Sequence, residues 1–327
     1  MSGSNLQITI ADKNTWKKTV DAINKATVFH TWEWLSILEK YAPKKFGKRP
    51  KLIPLILQYD DHSTIAAIPI FIYELPKRTI VYSPPPKTHT LYLGPLINWR
   101  SEMKKIKITL SMLEYISENL DPAYVRIVSP PRSTDYRPYQ WRNYRINMFS
   151  TYFIELHGME TWANLPKKLR KNIASAEKKY EICTGGKKEL QEIIARLKEK
   201  KHLNGPEEMI HDVTREMECK LIVAKKDGEL ISGTLFLKYN NVITAWIGNA
   251  APKTRAPYVN ELVMWKGMEW GIENDCQVFE ILGAHEEALF PFKAKFNPEF
   301  TPYINAEFCT IPARFIKILK KLKMLNF

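Results

Sequence analysis

Residues 221–249, LIVAKKDGELISGTLFLKYNNVITAWIGN, decide the fold class of this 327-residue chain. β-rich runs at Leu221–Ala224, Glu229–Tyr239 and Val242–Asn249 are separated by the short polar segments KKDG and NN. Asp-Gly and Asn-Asn pairs between such runs favour tight turns. The stretch therefore predicts three consecutive antiparallel strands.

Helical patterns lie on both sides of these strands. Before them, an apolar stripe joins Trp162, Leu165, Leu169, Ile173 and Ala176 in one helix, and a second helix covers about residues 188–201. After them the pattern predicts a helix carrying Leu262, Trp265, Met268 and Ile272, a strand at Val278–Leu282, a helix at Glu286–Phe296 and a last strand at Pro302–Thr310.

The first half of the chain has a similar mixture. The predicted elements are a short strand at Leu6–Ile10, a helix with Trp34, Ile37 and Leu38 on one face and Thr31 as its N-cap, a hairpin of Lys51–Tyr59 and Thr64–Tyr73, a helix at Glu102–Asn119 and a strand at Tyr124–Val128. The segment Ser129–Arg145 is predicted to be a loop or a domain junction.

Length and composition narrow the class of protein. A chain of 327 residues exceeds the usual size of one core, so two domains are expected. With 45% hydrophobic and 26% charged residues, the chain is neither disordered nor collagen-like.

No apolar run is long enough to cross a bilayer, no secretory signal is visible, and the four cysteines lack metal-site spacing. A reduced, cytoplasmic setting without a metal is expected.

The net charge of +14 is unevenly distributed. It is +10 over residues 1–150, −1 over residues 151–311 and +5 over residues 312–327. Within the near-neutral part, residues 167–201 carry twelve cations and five acids. This run indicates either a site for a polyanion, a phosphorylated ligand or an anionic membrane, or a solvated helix face.

Four short motifs carry a resemblance to a known family. They are Phe29-His30-Thr31-Trp32-Glu33-Trp34, the helix Leu169–Lys178 with its Arg-x-x-Ile-x-x-Ala-x-Lys pattern, Phe279-Glu280-Ile281-Leu282-Gly283, and Phe292-Lys293-Ala294-Lys295-Phe296. In their order and spacing they resemble the FemABX peptidoglycan-bridge enzymes and their FemAB-like acyltransferase relatives, which belong to the GNAT superfamily. Glu280 stands for the usual Asp, Gly283 comes one position late, and Asn297 replaces the usual Gly.

The resemblance implies an α/β (α+β) fold of two tandem GNAT-like domains, each a mixed, mostly antiparallel sheet flanked by helices. The expected division is 1–148, 149–311 and a C-terminal basic amphipathic helix at 312–327. It also implies an acyltransferase that moves an acyl or aminoacyl group to an amine of a cell-envelope precursor, sugar or peptide. No tightly bound cofactor is expected, because acyl-CoA or aminoacyl-tRNA would serve as co-substrate.

The resemblance also places the donor site. GNAT domains hold the CoA pyrophosphate at a helix N-terminus, which here follows the segment 249–258. That segment lacks the Gly-rich pattern but contains Lys253, Arg255 and Tyr258, so it is either an anion site or a loop with two exposed cations. Arg170 is a further candidate donor ligand, with a solvated helix face as its alternative.

The resemblance makes Lys293 the first choice of catalytic residue, because the lysine of the Phe-Lys pair lies near the donor in the enzymes that it resembles. A partly desolvated ammonium can stabilise the oxyanion that forms during acyl transfer. The alternative is a surface lysine, as Lys295 is expected to be. Glu280 is a candidate base or amine ligand, or else a buried structural carboxylate. His285 is a candidate proton relay in the adjacent loop.

Four aromatic residues are candidate substrate contacts. Phe292 would shield the reacting groups. The substrate site would be lined by Trp246, Trp34 and Tyr258. Aromatic side chains at such positions are also common in cores.

The last residues of the chain suggest a location. Apolar and basic residues alternate at helical spacing in 314–327, which is typical of a helix that lies on an anionic membrane or docks on its own domain. The first alternative would place the protein at the inner face of the membrane, beside a lipid-linked acceptor.

Two other functions stay open. One is a CoA-dependent N-acetyltransferase of the GNAT superfamily. The other is a non-catalytic RNA-binding or scaffold protein with a GNAT-like fold. The positive net charge favours this alternative, whereas the lack of an RNA-recognition motif in the sequence argues against it.

Overall fold

The computed structural model describes residues 6–23, 25–59, 64–203, 205–248 and 256–310. Contacts divide the chain into two units. The first comprises the described residues up to Phe149 together with those from Pro302 onward, and the second comprises the described residues of Ser150–Thr301. Each unit has its own apolar core.

The helices and strands follow one another in mixed order along the chain. Up to residue 141 they are β1 (Leu6–Ile10), α1 (Lys13–Asp21), α2 (Trp32–Tyr41), β2 (Lys51–Tyr59), β3 (Thr64–Glu74), β4 (Thr79–Ser83), β5 (Leu96–Ile97), α3 (Glu102–Leu120), β6 (Pro122–Val128) and α4 (Arg137–Trp141). From there they are β7 (Arg145–Glu155), α5 (Glu160–Asn164), α6 (Lys167–Glu177), β8 (Glu181–Thr184), α7 (Lys187–Glu199), α8 (Glu207–Glu216), β9 (Cys219–Lys226), β10 (Glu229–Tyr239), β11 (Val242–Gly248), α9 (Val259–Glu273), β12 (Val278–Ile281), α10 (Phe290–Lys293) and β13 (Glu299–Cys309).

The two units share one strand plan. In the first unit β2, β3 and β4 form an antiparallel meander, α3 follows, and β6 pairs in parallel with β4. In the second unit β9, β10 and β11 form the meander, α9 follows, and β12 pairs in parallel with β11. The predicted meander and the α/β class with mixed, mostly antiparallel sheets are confirmed.

Local sequence signals explain the helices that were predicted. The Thr31 hydroxyl accepts a hydrogen bond from the Trp34 amide at 3.3 Å and so caps α2. Trp34, Ile37 and Leu38 are buried on one face of that helix. The predicted cap and apolar stripe are confirmed.

The predicted continuous helix over residues 162–176 is wrong. The chain forms α5 and α6 instead, and both Leu165 and Pro166 have extended backbone between them. The residue before a proline disfavours helical backbone, so Leu165 ends the first helix and Pro166 stands just before the second. The stripe survives the break, because Leu169, Ile173 and Ala176 remain buried on one face of α6.

Two more sequence expectations need correction. The segment Ser129–Arg145 contains a short helix, α4, that packs its Tyr139 into the core. The predicted helix over Glu286–Phe296 is a succession of single turns, with α10 between two 3₁₀ turns. Pro291 and the neighbouring bulky residues leave little room for regular helix there.

The predicted domain division differs from the units in one place. The expected second domain runs to residue 311, whereas Pro302 onward groups with the first unit, because Asn305–Cys309 of β13 pairs with Tyr124–Val128 of β6. Whether each unit is a GNAT-like domain in its own right stays a prediction. The expected basic helix at 312–327 lies outside the described residues.

In the described residues, no helix combines the length and the apolar character that crossing a bilayer requires.

Candidate functional site

The second unit contains a split between its two parallel strands. β11 and β12 pair from Val242 and Val278 up to Ala245 and Ile281. Beyond that point β11 stays paired with β10 as far as Gly248, whereas the chain after Ile281 turns away into a loop. The carboxyl ends of two parallel strands thus diverge, which is where open α/β sheets bind their ligands.

A β-bulge lies at the mouth of this split. Leu235 pairs with Ile247 and Phe236 with Ala245, so Trp246 is the additional residue in β11. Bulges bend a strand and redirect its side chains, and they are common beside active sites. Trp246 is 8% exposed and therefore contributes mostly to the core.

Lys293 places its ammonium group at the end of β12. Its Nζ donates hydrogen bonds to the carbonyl oxygens of Leu282 at 2.6 Å and Gly283 at 2.7 Å, directly after Ile281. The residue is 6% exposed. Burial lowers the pKa of Lys293 to about 8, and the nearby Glu286 opposes that shift. An ammonium has three protons, so two hydrogen bonds leave one for a ligand.

Glycine is needed where these carbonyls turn. Gly283 has a φ of +72°, and a Cβ on it would lie 3.4 Å from the Lys293 Nζ. Backbone in this region strains residues that carry a Cβ. The glycine of the Phe279–Gly283 motif therefore lets the loop present two successive carbonyls to one ammonium.

The Phe-Lys-x-x-Phe motif holds Lys293 in place. Phe292 and Phe296 form an edge-to-face pair with ring centroids 5.8 Å apart, and Phe296 is fully buried. Asn297 has a φ of +52°, a conformation that asparagine tolerates better than most residues, so it can stand where the family has glycine. Phe292 is half-buried beside Lys293 and packs on the core.

Lys295 lies at the surface, as the sequence led us to expect, and it also forms an ion pair. Its Nζ lies 2.7 Å from the Oε1 of Glu261, a carboxylate with only 6% of its side chain exposed. Glu261 stands in the first turn of α9. Lys295 is therefore the surface lysine that was expected, and it also compensates a buried charge.

Glu280 is held between two threonines. It is 1% exposed in the middle of β12, where its carboxylate accepts hydrogen bonds from the hydroxyls of Thr151 at 2.9 Å and Thr244 at 3.2 Å. These residues lie on the neighbouring strands β7 and β11. The geometry favours a structural carboxylate over a base that exchanges protons with substrate.

We therefore expect Glu280→Gln to change kcat by less than threefold. The amide keeps the shape of the carboxylate, its oxygen can accept from one hydroxyl and its NH2 group can donate to the oxygen of the other, although it cannot act as a base. Steady-state kinetics of the purified variant would measure the effect. A loss of a hundredfold or more at unchanged stability would return Glu280 to the catalytic group.

His285 is accessible where Glu280 is not. It is exposed in the loop after Gly283, and its Nδ1 lies 3.3 Å from the carbonyl oxygen of Ser150. An exposed imidazole can exchange protons with solvent. Its role as a proton relay stays a prediction.

The predicted donor ligands are only partly described. Tyr258 is 40% exposed at the N-cap of α9, with a φ of +65°. Arg170 is half-buried, and its Nε donates to the carbonyl of Leu165 at 3.1 Å, which steadies the break between α5 and α6. Lys253 and Arg255 lie outside the described residues.

Trp34 lies in the core of the first unit. Its side chain is fully buried there, its ring packs on Phe29 in a tilted arrangement with centroids 4.8 Å apart, and its indole nitrogen donates to the Thr90 hydroxyl at 3.1 Å. The first motif thus serves the core and the cap of α2. A substrate contact by Trp34 would require this packing to open.

Several residues of the site could not have been found from the sequence. Thr151 and Thr244 meet Glu280 only through strand pairing, and Glu261 meets Lys295 across 34 residues. One signal was available at Glu261, because a carboxylate directly before the apolar run Leu262, Val263 and Met264 needs a partner if it is buried.

Comparisons with known proteins bear on this geometry. Residues 164–294 match the family model described as acetyltransferase (GNAT) domain. The match includes the β9–β11 meander, α9, β12 and Lys293, which are the elements that build the split. A comparison of the sequence with curated proteins gave no significant match.

Solved structures share the fold of most of the chain. FemX superposes with a TM-score of 0.69 at 9% identity, over 91% of this chain and 96% of FemX. A tandem GNAT protein from the clavulanic acid biosynthesis pathway gives 0.54 at 11% identity, over 94% of this chain and 100% of that one. L-PGS from Bacillus licheniformis gives 0.54 at 13% identity, over 97% and 98%. At these identities the likeness concerns the fold.

The matched domain, the strand plan and the FemX-like fold agree with the resemblance carried by the four motifs. Residues 164–294 therefore match a GNAT acetyltransferase domain, and most of the chain shares the fold of FemX.

Proposed function

We propose that this protein transfers an acyl or aminoacyl group to an amine of a cell-envelope precursor, sugar or peptide. The observation that carries the proposal is the buried ammonium of Lys293 at the split between β11 and β12. In the transfer, the amine nitrogen attacks the donor carbonyl, a tetrahedral oxyanion forms, and the thiol or hydroxyl of the donor departs as the amine loses a proton. A fixed positive charge in a site shielded from water stabilises that oxyanion.

The residues around Lys293 support the same step. The carbonyls of Leu282 and Gly283 fix the ammonium before substrate arrives, so little reorganisation is required during the reaction. Phe292, which packs on the core beside Lys293, would shield the reacting groups from water. His285 would return the proton of the attacking amine to solvent.

The donor is either acyl-CoA or aminoacyl-tRNA. GNAT domains use acyl-CoA, whereas the FemABX-like resemblance and the absence of a Gly-rich pattern in residues 249–258 favour aminoacyl-tRNA. The acceptor would carry the amine. If the acceptor is a lipid-linked precursor, the basic C-terminal segment would bind the anionic surface of the membrane that holds it.

The direct test is transfer itself. The purified protein would be incubated with labelled acyl-CoA or aminoacyl-tRNA and with amine acceptors of the three classes, after mass spectrometry for copurifying CoA or tRNA. Transfer of label with either donor is the expected result. Binding of RNA without transfer from any donor would favour the non-catalytic RNA-binding or scaffold protein instead.

The donor ligands give a further prediction. Replacing Lys253 and Arg255 with alanine should weaken donor binding by about 1 to 3 kcal/mol for each charged hydrogen bond lost. Calorimetric titration with CoA and with aminoacyl-tRNA would measure it, and Lys226→Ala, which removes an exposed lysine at the end of β9, is the matched control. Unchanged affinity for both donors in the double variant would move the donor site away from this segment.

A further inference from the structure

The first unit contains a cavity that the transfer chemistry does not use. It has a volume of about 260 Å³ and lies among α3, the segment 95–97 and the loop after β6. Lys25, Lys105 and Arg132 are among its lining residues. The volume is just below the ~300 Å³ at which small-molecule pockets begin, so the cavity suits a small ligand.

The three cations are close enough to affect one another. Partial burial, followed by the charges of Lys105 and Arg132, lowers the pKa of Lys25. Like charges repel, so their convergence costs free energy that a bound anion would recover.

The acids at this cavity already have a partner. Glu102 and Asp135 both line it, and both carboxylates form ion pairs with Arg137, at 2.5 and 2.9 Å. The hydrogen bond from Arg137 and, to a smaller extent, the charge of Lys105 lower the pKa of Asp135. The lining thus carries three cations, Lys25, Lys105 and Arg132, and these two acids.

Arg132 occupies a backbone position that suits glycine. The Ser133 amide donates to the Pro130 carbonyl at 3.2 Å and closes a tight turn in which Arg132 has a φ of +67°. Glycine or asparagine is preferred at this third position of a turn, because a side chain there is strained. Strain of this kind is typical of functional positions, where the side chain itself is required.

The other walls of the cavity are apolar or carry hydroxyl groups. Leu96, Ile97 and Pro138 provide apolar surface, and Ser133 and Thr134 carry hydroxyls that can donate to an anion. An arginine fork with two lysines suits a dianionic phosphate better than a single carboxylate, since a phosphate monoester carries about −1.5 to −2 charges. We propose that this cavity binds a small, soluble phosphate monoester whose organic group lies on the apolar wall.

The test uses phenyl phosphate as the probe and calorimetry on the full chain. Phenyl phosphate is expected to bind saturably, at least tenfold more tightly than either inorganic phosphate or benzoate, and less tightly as salt rises. Lys293→Met should bind it as the parent does, because this site is separate from the transfer chemistry. Failure of the proposed acyl transfer would therefore leave this result unchanged.

Two variants separate binding from folding. Arg132→Gly removes the cation and relieves the strained backbone, so we expect at least tenfold weaker binding at an unchanged or higher unfolding temperature. Lys105→Met should weaken binding similarly, whereas Lys107→Met, which removes an exposed lysine from the same helix, should not.

Two results would overturn the proposal. One is an affinity for phenyl phosphate that is the same in Arg132→Gly, Lys105→Met and the parent. The other is capture of the protein by phosphatidic acid vesicles, lost in Arg132→Gly, without any binding of the soluble ester, which would assign the cations to a lipid headgroup.

Discussion

Replacing Lys293 with methionine is expected to lower kcat by about 100-fold or more. The variant removes the ammonium that lies at the end of β12 and keeps a side chain of similar length. Loss of one preorganised oxyanion donor typically costs 10²- to 10³-fold in kcat. Steady-state kinetics with the donor identified by the transfer assay would measure the change.

The stability of the same variant should change little. Methionine relieves the cost of a buried charge, but it leaves the carbonyls of Leu282 and Gly283 without their charged donor, and these effects oppose each other. Lys178→Met, which removes an exposed lysine after α6, is the control for charge alone. Normal turnover of Lys293→Met would show that this lysine has no part in the chemical step.

The pH dependence distinguishes two roles for Lys293. An oxyanion stabiliser must be protonated, so activity should fall as the pH rises through the lowered pKa of about 8. A general base must be neutral, so activity would instead rise through the same range. We expect kcat to fall with rising pH. If Lys293→Met lacks this pH dependence, the dependence belongs to Lys293.

The lowered pKa of Lys293 should make the folded protein more stable as the pH rises, whereas activity falls. The unfolded chain, with the ordinary lysine pKa of 10.5, holds the proton up to a higher pH than the folded chain does. The free energy of unfolding of the parent, relative to Lys293→Met, should therefore rise between pH 8 and 10.5, by up to about 3 kcal/mol. Below pH 8 both states are protonated, and the difference should be constant.

Local sequence patterns were sufficient to predict those helices, caps and turns whose conformation depends on neighbouring residues alone. The Thr31 cap, the buried face of α2 and the turns of the β9–β11 meander depend on neighbours within a few residues. These features needed no knowledge of tertiary packing. Lys293, by contrast, was singled out through the resemblance of Phe292–Phe296 to a family motif, and its catalytic role stays a prediction.

Features that depend on strand pairing were not predictable. The short strands β4 and β8 have too few residues for a clear alternation, and they form because a neighbouring strand supplies hydrogen bonds. The partners of Glu280 come from positions 36 and 129 residues away. The same limit applies to Trp34, since an aromatic pattern does not reveal which face a core will cover, and its role as a substrate contact stays a prediction.

Replacing Lys295 with methionine is expected to lower the free energy of unfolding by about 2 to 3 kcal/mol. The variant leaves the Glu261 carboxylate buried without the ammonium that now lies 2.7 Å away. Breaking a buried ion pair typically costs 3 to 5 kcal/mol. The effect should be smaller here because 45% of the Lys295 side chain is exposed, and because Glu261 also gains from its place in the first turn of α9. Urea denaturation would measure the loss.

The double variant Lys295→Met with Glu261→Gln separates this pair from the chemistry. The glutamine removes the uncompensated charge, so it should recover most of the lost stability, and a double-mutant cycle would give the coupling. Below the unfolding transition, kcat of Lys295→Met should stay within threefold of the parent, in contrast to Lys293→Met. If Lys295→Met instead kept its stability and lost kcat a hundredfold, the catalytic ammonium would be the one beside Glu261, and the motif would have been assigned to the wrong lysine.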